Sequence, residues 1–71
     1  MSKQEGIEID GIVKEKLKGG TFAVELSNGS IATCKLSGKL HMHHIRIVVG
    51  DKVSVEISPY DLSKGRIIWR Y

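Results

Sequence analysis

Residues 21–36 read TFAVELSNGSIATCKL. Apolar and polar side chains alternate on both sides of Asn28-Gly29. A two-residue period is that of an extended strand with one buried face. Asn-Gly readily takes the positive φ angles of a tight turn, so the stretch reads as a β-hairpin. Its first strand points Phe22, Val24 and Leu26 inward, with Thr21, Ala23 and Glu25 outward. Its second runs from about Ser30 to Leu36 and points Ala32, Cys34 and Leu36 inward.

The same period extends to both sides. Upstream, Ile7, Ile9, Gly11, Val13 and Leu17 share one parity, and Glu8, Asp10, Lys14 and Lys16 take the other, which predicts a strand over about 6–17. Ile12 breaks the polar parity. Gly11 sits mid-strand, where a glycine marks a bend or a close approach of two backbones. The run Lys18-Gly19-Gly20-Thr21 is a turn. Downstream, Val49-Gly50-Asp51-Lys52 is another turn. It leads into a strand over 52–57 with Val53, Val55 and Ile57 inward. Ser58 to Gly65, which contains the only proline, Pro59, reads as a polar loop. Arg66–Tyr71 reads as a last strand.

The segment from Ser37 to Ile47 departs from this period. Ser37 can cap a helix N-terminus, and Leu40, His43 or His44, and Ile47 recur at helical spacing. A short helix over about 38–44 is expected. Three strands, a short helix and two strands make the order of the all-β, five-stranded oligonucleotide-binding barrel, with the helix between strands three and four; another small barrel, such as an SH3-like one, is the alternative. A closed barrel suits a chain of 71 residues, which can bury only a modest core. No disulfide can staple it, because Cys34 is the only cysteine. Residues 1–71 are read as one domain, with no repeat, low-complexity tract or linker.

The composition is 41% hydrophobic and 27% charged, with formal net charge +3, which fits a phosphate-bearing partner. The charge is uneven. Residues 1–31 hold four lysines against five acids. Residues 32–50 hold Lys35, Lys39 and Arg46 with no acid, together with His41, His43 and His44. Residues 51–71 add Lys52, Lys64, Arg66 and Arg70 against Asp51, Glu56 and Asp61. The short helix and its flanks are therefore the basic pole.

Enzyme chemistry finds little support. Cys34 falls on the inward parity of its strand, where a lone cysteine acts as a small core residue. Ser37-Gly38-Lys39 and Ser63-Lys64-Gly65 echo a phosphate loop but lack its upstream glycine. The acids are scattered. On a helix only His41 and His44 of the three histidines can converge, and two ligands fall short of a closed zinc site. No metal, cofactor or catalytic residue is expected. The aromatics are only Phe22, Tyr60, Trp69 and Tyr71, which favours contact with folded RNA over stacking on a long single strand. The opening Met-Ser-Lys-Gln-Glu-Gly has no apolar signal region, and no apolar run approaches a membrane-spanning length.

Longer strings sharpen this. Ser37-Gly38-Lys39, Ile45-Arg46-Ile47, Gly50-Asp51-Lys52-Val53 and above all Ser58-Pro59-Tyr60-Asp61-Leu62-Ser63-Lys64-Gly65-Arg66-Ile67 resemble bacterial or organellar translation initiation factor one, of the S1-like barrel group. Ile7-Glu8, Gly11, Val13 and the Phe22-to-Gly29 stretch fit as well, so the resemblance covers the whole chain. It implies a non-catalytic factor that binds the small ribosomal subunit at the decoding site. There it would occlude the aminoacyl-tRNA site and cooperate with the other initiation factors. Its contacts with 16S-type rRNA would fall on Lys39, His41, His43, His44, Arg46, Lys64, Arg66 and Arg70. The resemblance further implies a monomer in the bacterial cytoplasm or a plastid stroma. A general S1-like or cold-shock-like RNA chaperone is the alternative. The sequence departs from the family at Lys18-Gly19-Gly20 (usually Pro-Asn), Ala23 (usually Arg), His41 (usually Arg) and His44 (usually an aromatic). It also ends at Tyr71 without the usual further basic residue.

Overall fold

A computed structural model describes residues 6–71; residues 1–5 of the polar opening, read above for the absence of a signal region, lie outside them. Five strands form: β1 (Ile7–Lys16), β2 (Thr21–Leu26), β3 (Ile31–Leu36), β4 (Lys52–Ser58) and β5 (Asp61–Arg70). One helix, α1 (Gly38–Met42), lies between β3 and β4. The strands close in the order β1-β2-β3-β5-β4, and β4 pairs back onto β1. All the pairings are antiparallel except β3 with β5, which is parallel. Closure pairs every strand on both sides over part of its length, which is how a short all-β chain limits edge-to-edge association.

The inward residues expected on the first four strands form most of the core, and Ile67 of β5 joins them. Val13, Phe22, Val24, Leu26, Ala32, Cys34, Val53, Val55, Ile57 and Ile67 are buried inside the barrel, and Leu40 and Ile47 join them from the region between β3 and β4. Ile7, exposed at the start of β1, and Leu17, half-buried outside the core cluster, are exceptions. Gly11 sits where two strands approach closely. It pairs with Leu26 on one side and Val53 on the other, and a Cβ there would lie 2.7 Å from Val24 Cγ1 and 2.8 Å from the Glu25 carbonyl oxygen.

The β2–β3 turn differs in detail from the expected tight turn. Of its residues only Gly29 has positive φ, at 91°. Asn28 instead accepts from the Ser30 amide through Oδ1 at 2.9 Å, and the Gly29 amide donates to the Leu26 carbonyl at 2.9 Å. The loop spans residues 27–30, so a side chain rather than a second left-handed residue closes it.

The polar stretch 58–65 is a larger correction. β5 begins at Asp61, leaving only Pro59 and Tyr60 between it and β4. Ser58 pairs with Asp61 and Ile57 with Gly65, so Leu62, Ser63 and Lys64 bulge out of that ladder. Lys64 and Gly65 at the same time pair with Thr33 and Cys34 of β3. The stretch is polar because its side chains face out from the barrel, not because it is a loop.

The helix is also shorter than its spacing predicts. Ser37 caps it as expected, its Oγ accepting from the Leu40 amide at 3.2 Å. It ends at Met42 because His44 takes φ 57°. The His44 amide then donates to the His41 carbonyl at 3.1 Å, and the Ile45 amide donates to the Leu40 carbonyl at 3.0 Å. This is the Schellman closure of a helix C-terminus, with histidine at the position that usually holds glycine. No helix of the described residues is long and apolar enough to cross a membrane.

Candidate nucleic-acid interface

Two neighbouring groups of basic side chains follow from this architecture. The first surrounds a groove of about 510 Å³. Thr21, Lys35, Arg66 and Glu56 stand in one row across β2, β3, β5 and β4, on the outward parity. Lys35, Lys64, Arg66, Glu56, Gly38 and Tyr60 all line the groove. Tyr60 is 87% exposed, and its amide donates to Ser58 Oγ at 3.1 Å, which fixes the turn that presents it. A groove of this volume has room for a small organic ligand or a nucleotide-sized unit.

Glu56 is the acid of this groove. Its Oε1 lies 3.3 Å from Arg66 Nη2, with the glutamate side chain 20% exposed and the arginine 59%. Lys35 and Lys64 make no ion pair with any described residue. Beside the groove, Asp61 Oδ1 accepts from both the amide and the hydroxyl of Ser63, at 3.1 and 2.6 Å. Those hydrogen bonds, with the nearby Lys64 charge, hold the Asp61 carboxyl below its usual range.

The second group is carried by α1 and the segment that follows it. Lys39 and His41 are exposed on the helix, His43 and His44 are exposed in its C-terminal cap, and Arg46 is exposed just beyond. The Arg46 guanidinium has no hydrogen bond or ion pair with a described residue. Arg70 is different: its Nη1 donates to the Arg46 carbonyl at 2.9 Å. Because His44 leaves the helix, the helical spacing that would bring it alongside His41 no longer applies. Among the described residues no three His, Cys, Asp or Glu side chains are grouped so as to hold a metal.

Elsewhere on the barrel two further cations are engaged. Lys14 pairs with Glu25 at 3.2 Å, and Lys52 sits 5.3 Å from the centre of the Tyr71 ring. The Tyr71 hydroxyl donates to Asp10 at 2.9 Å, and this bond raises the tyrosine above its ordinary pKa. Cys34 is fully buried, and burial pushes its thiol up to about 11, so it stays protonated and unreactive near neutral pH.

The structure thus brings Lys64 and Arg66 together in the groove and keeps Lys39, the three histidines and Arg46 along the helix and its exit. Lys35 and Tyr60 line the groove as well, and the sequence reading left both out. The outward parity of Lys35 on β3 was the available signal for the first. For Tyr60 it was a position beside the only proline in a polar turn.

A family model described as translation initiation factor 1A / IF-1 matches residues 1–71. The chain belongs to that family. Its fold is similar to the solution structure of translation initiation factor one from the Wolbachia endosymbiont strain TRS of Brugia malayi. The identity is 41%, the TM-score 0.80, and the match covers 96% of this chain and 80% of that one. The barrel is also similar to part of YjeQ from Thermotoga maritima, at 29% identity and TM-score 0.73, covering 92% of this chain but 23% of that one. The five-stranded oligonucleotide-binding barrel of this initiation-factor family is therefore the fold, and protein synthesis is its setting.

Proposed function

We propose that the protein binds the small ribosomal subunit at its decoding site through rRNA and assists assembly of the initiation complex with the other initiation factors. The observation that carries this reading is a set of exposed cations that form no ion pair with a described residue. Lys35 and Lys64 line the groove, and Lys39 and Arg46 lie along the helix and its exit. Lysines supply point charges for phosphates, and arginine's planar fork can stack on a base or pair with phosphate. Membership of the initiation-factor family supports the ribosome as the source of the RNA.

The mechanism is electrostatic and steric. Lys35, Lys39 and Lys64 neutralise backbone phosphates, and Arg46 makes the main specific contact, flanked by His41, His43 and His44. The barrel then fills the decoding site and blocks the aminoacyl-tRNA position without a chemical step. With about four phosphates engaged, log K for the subunit falls against log salt with a slope of roughly −3. Chemical footprinting on isolated small subunits tests the reading. Protection confined to decoding-site nucleotides is expected. Diffuse protection, with equal affinity for unstructured oligonucleotides, would instead favour a general RNA chaperone.

A further inference from the structure

We infer that Arg70 is a positioning residue, which sets the place of Arg46 through its backbone and is not itself a phosphate contact. The inference rests on the reading that Arg46 meets RNA. Its structural premise is independent of that reading.

The premise begins with a bulge. In the β4–β5 ladder Val55 pairs with Ile67 and Ser54 with Trp69, which leaves Ile68 without a partner. An extra residue in one strand reverses the side-chain parity beyond it. Ile67 points into the core, so an unbroken strand would turn Trp69 and Tyr71 inward and Arg70 out to solvent. The bulge instead sets Arg70 opposite Val53, whose side chain is fully buried, and leaves Trp69 and Tyr71 exposed. Arg70 therefore stands on the inward parity at the mouth of the barrel, where as the last residue of β5 it is still exposed. Its backbone is held on both sides, by the pairing with Val53 and by the Tyr71 amide, which donates to the Lys52 carbonyl at 3.0 Å.

What covers that mouth is the segment from Ile45 to Gly50. It is neither strand nor helix, and Ile47 is its buried anchor. On one side, the Ile45 amide donates to the Leu40 carbonyl at 3.0 Å. On the other, the Val48 amide donates to Asp51 Oδ2 at 3.0 Å, and the Gly50 amide donates to the Val13 carbonyl at 2.8 Å. No described backbone amide donates to the Arg46 carbonyl. Arg70 Nη1 does so from 24 residues away. A guanidinium that bonds a carbonyl has that edge engaged by the protein. The Arg46 side chain, by contrast, has no partner among the described residues. Arg70 thus fixes the backbone from which Arg46 extends.

A phosphate contact and a positioning strut differ in their salt dependence. Removing one phosphate contact lowers the log–log salt slope by about 0.9 at most, whereas moving another residue's backbone weakens binding with the slope unchanged. The test measures binding of wild type, Arg70→Met, Arg70→Lys, Arg46→Ala and the Arg70→Met/Arg46→Ala double variant to isolated small subunits over a range of salt. Backbone amide spectra of each free protein are recorded alongside.

The expected result is that Arg70→Met weakens binding about tenfold, the scale of one charge-assisted hydrogen bond, with an unchanged slope. In the Arg46→Ala background it costs less than about twofold, because there is no side chain left to misplace. The amide signals of residues 46–48 shift in the free protein while those of β1 to β3 stay in place. Arg70→Lys also shifts those amides and weakens binding, because an ammonium cannot reproduce the geometry of the guanidinium edge. A slope that falls with Arg70→Met, an equal loss in both backgrounds, or a lysine variant that binds like wild type would overturn the inference and make Arg70 a phosphate contact. If the methionine variant fails to fold, the lysine variant decides. If wild type does not bind the subunit at all, the proposed function fails, and the free-protein amides still decide whether Arg70 holds residues 46–48.

Discussion

The Glu56 carboxylate lies 3.3 Å from the Arg66 guanidinium, inside the groove that Lys35 and Lys64 also line. An acid among three cations competes with any phosphate that enters. Glu56→Gln keeps the shape and removes the charge. The pair is partly exposed, so its loss changes folding stability by no more than about 1 kcal/mol. RNA binding strengthens about threefold, and the salt slope steepens because Arg66 becomes available to phosphate. Fluorescence anisotropy with a labelled decoding-site RNA across salt concentrations measures both. Weaker binding would instead mean that Glu56 aims Arg66 at its ligand.

His44 occupies a left-handed backbone position, φ 57°, where glycine carries no steric penalty. His44→Gly relieves that strain and loses part of the gain to the more flexible unfolded chain. A net stabilisation of about 0.5 kcal/mol follows, with a rise of a few degrees in Tm. The same change removes an exposed ring from the helix cap proposed to face RNA. Thermal melting and subunit binding should therefore move in opposite directions, higher Tm with weaker binding. A lower Tm would show that the ring itself packs against the barrel.

Gly11 has no room for a side chain. A Cβ would meet Val24 Cγ1 at 2.7 Å and the Glu25 carbonyl at 2.8 Å, and the carbonyl belongs to a paired strand that cannot move alone. Gly11→Ala is destabilising by about 1–3 kcal/mol, the usual cost of overpacking a close-packed site. Urea denaturation measures it as a lower midpoint with an unchanged slope, and a wild-type midpoint would refute the close approach.

Gly11 was legible in the sequence because a glycine inside an alternating strand weakens it and is kept where the chain bends or another backbone comes close. The strands β1 to β4 were legible because a period of two admits one buried face. Three features were not. β5 begins at Asp61 because Lys64 and Gly65 pair with β3, and a parallel partner 31 residues upstream leaves no local pattern. The helix stops at Met42, turned out by His44, without the glycine that ordinarily announces such an end. The bulge at Ile68 reverses the parity of Arg70 with neither glycine nor proline to mark it. The candidate interface divides along the same line. Charge count located the basic pole around α1. The engagement of Arg66 by Glu56 and of Arg70 by the Arg46 carbonyl depends on tertiary register, and so do the entries of Lys35 and Tyr60 into the groove.

Cys34 provides a pH probe of the barrel interior. Its thiol is raised from 9.0 to about 11 by burial, whereas the unfolded chain titrates near the lower value. Above pH 9 the unfolded state therefore releases a proton that the folded state keeps. Stability falls where the unfolded state binds fewer protons, so this contribution is intact below pH 9 and is lost between pH 9 and about 11. A tenfold difference in proton affinity corresponds to about 1.4 kcal/mol, which puts the loss at about 2 kcal/mol once partial relaxation is allowed for. Lysines and tyrosines titrate in the same window, so the comparison is with Cys34→Ala. The alanine variant is less stable than wild type at pH 8, because a buried sulfur is replaced by a cavity. The gap between the two should narrow steadily from pH 9 to pH 11 in urea titrations. A gap that stays constant would show that the thiol ionises in place, with water reaching the core.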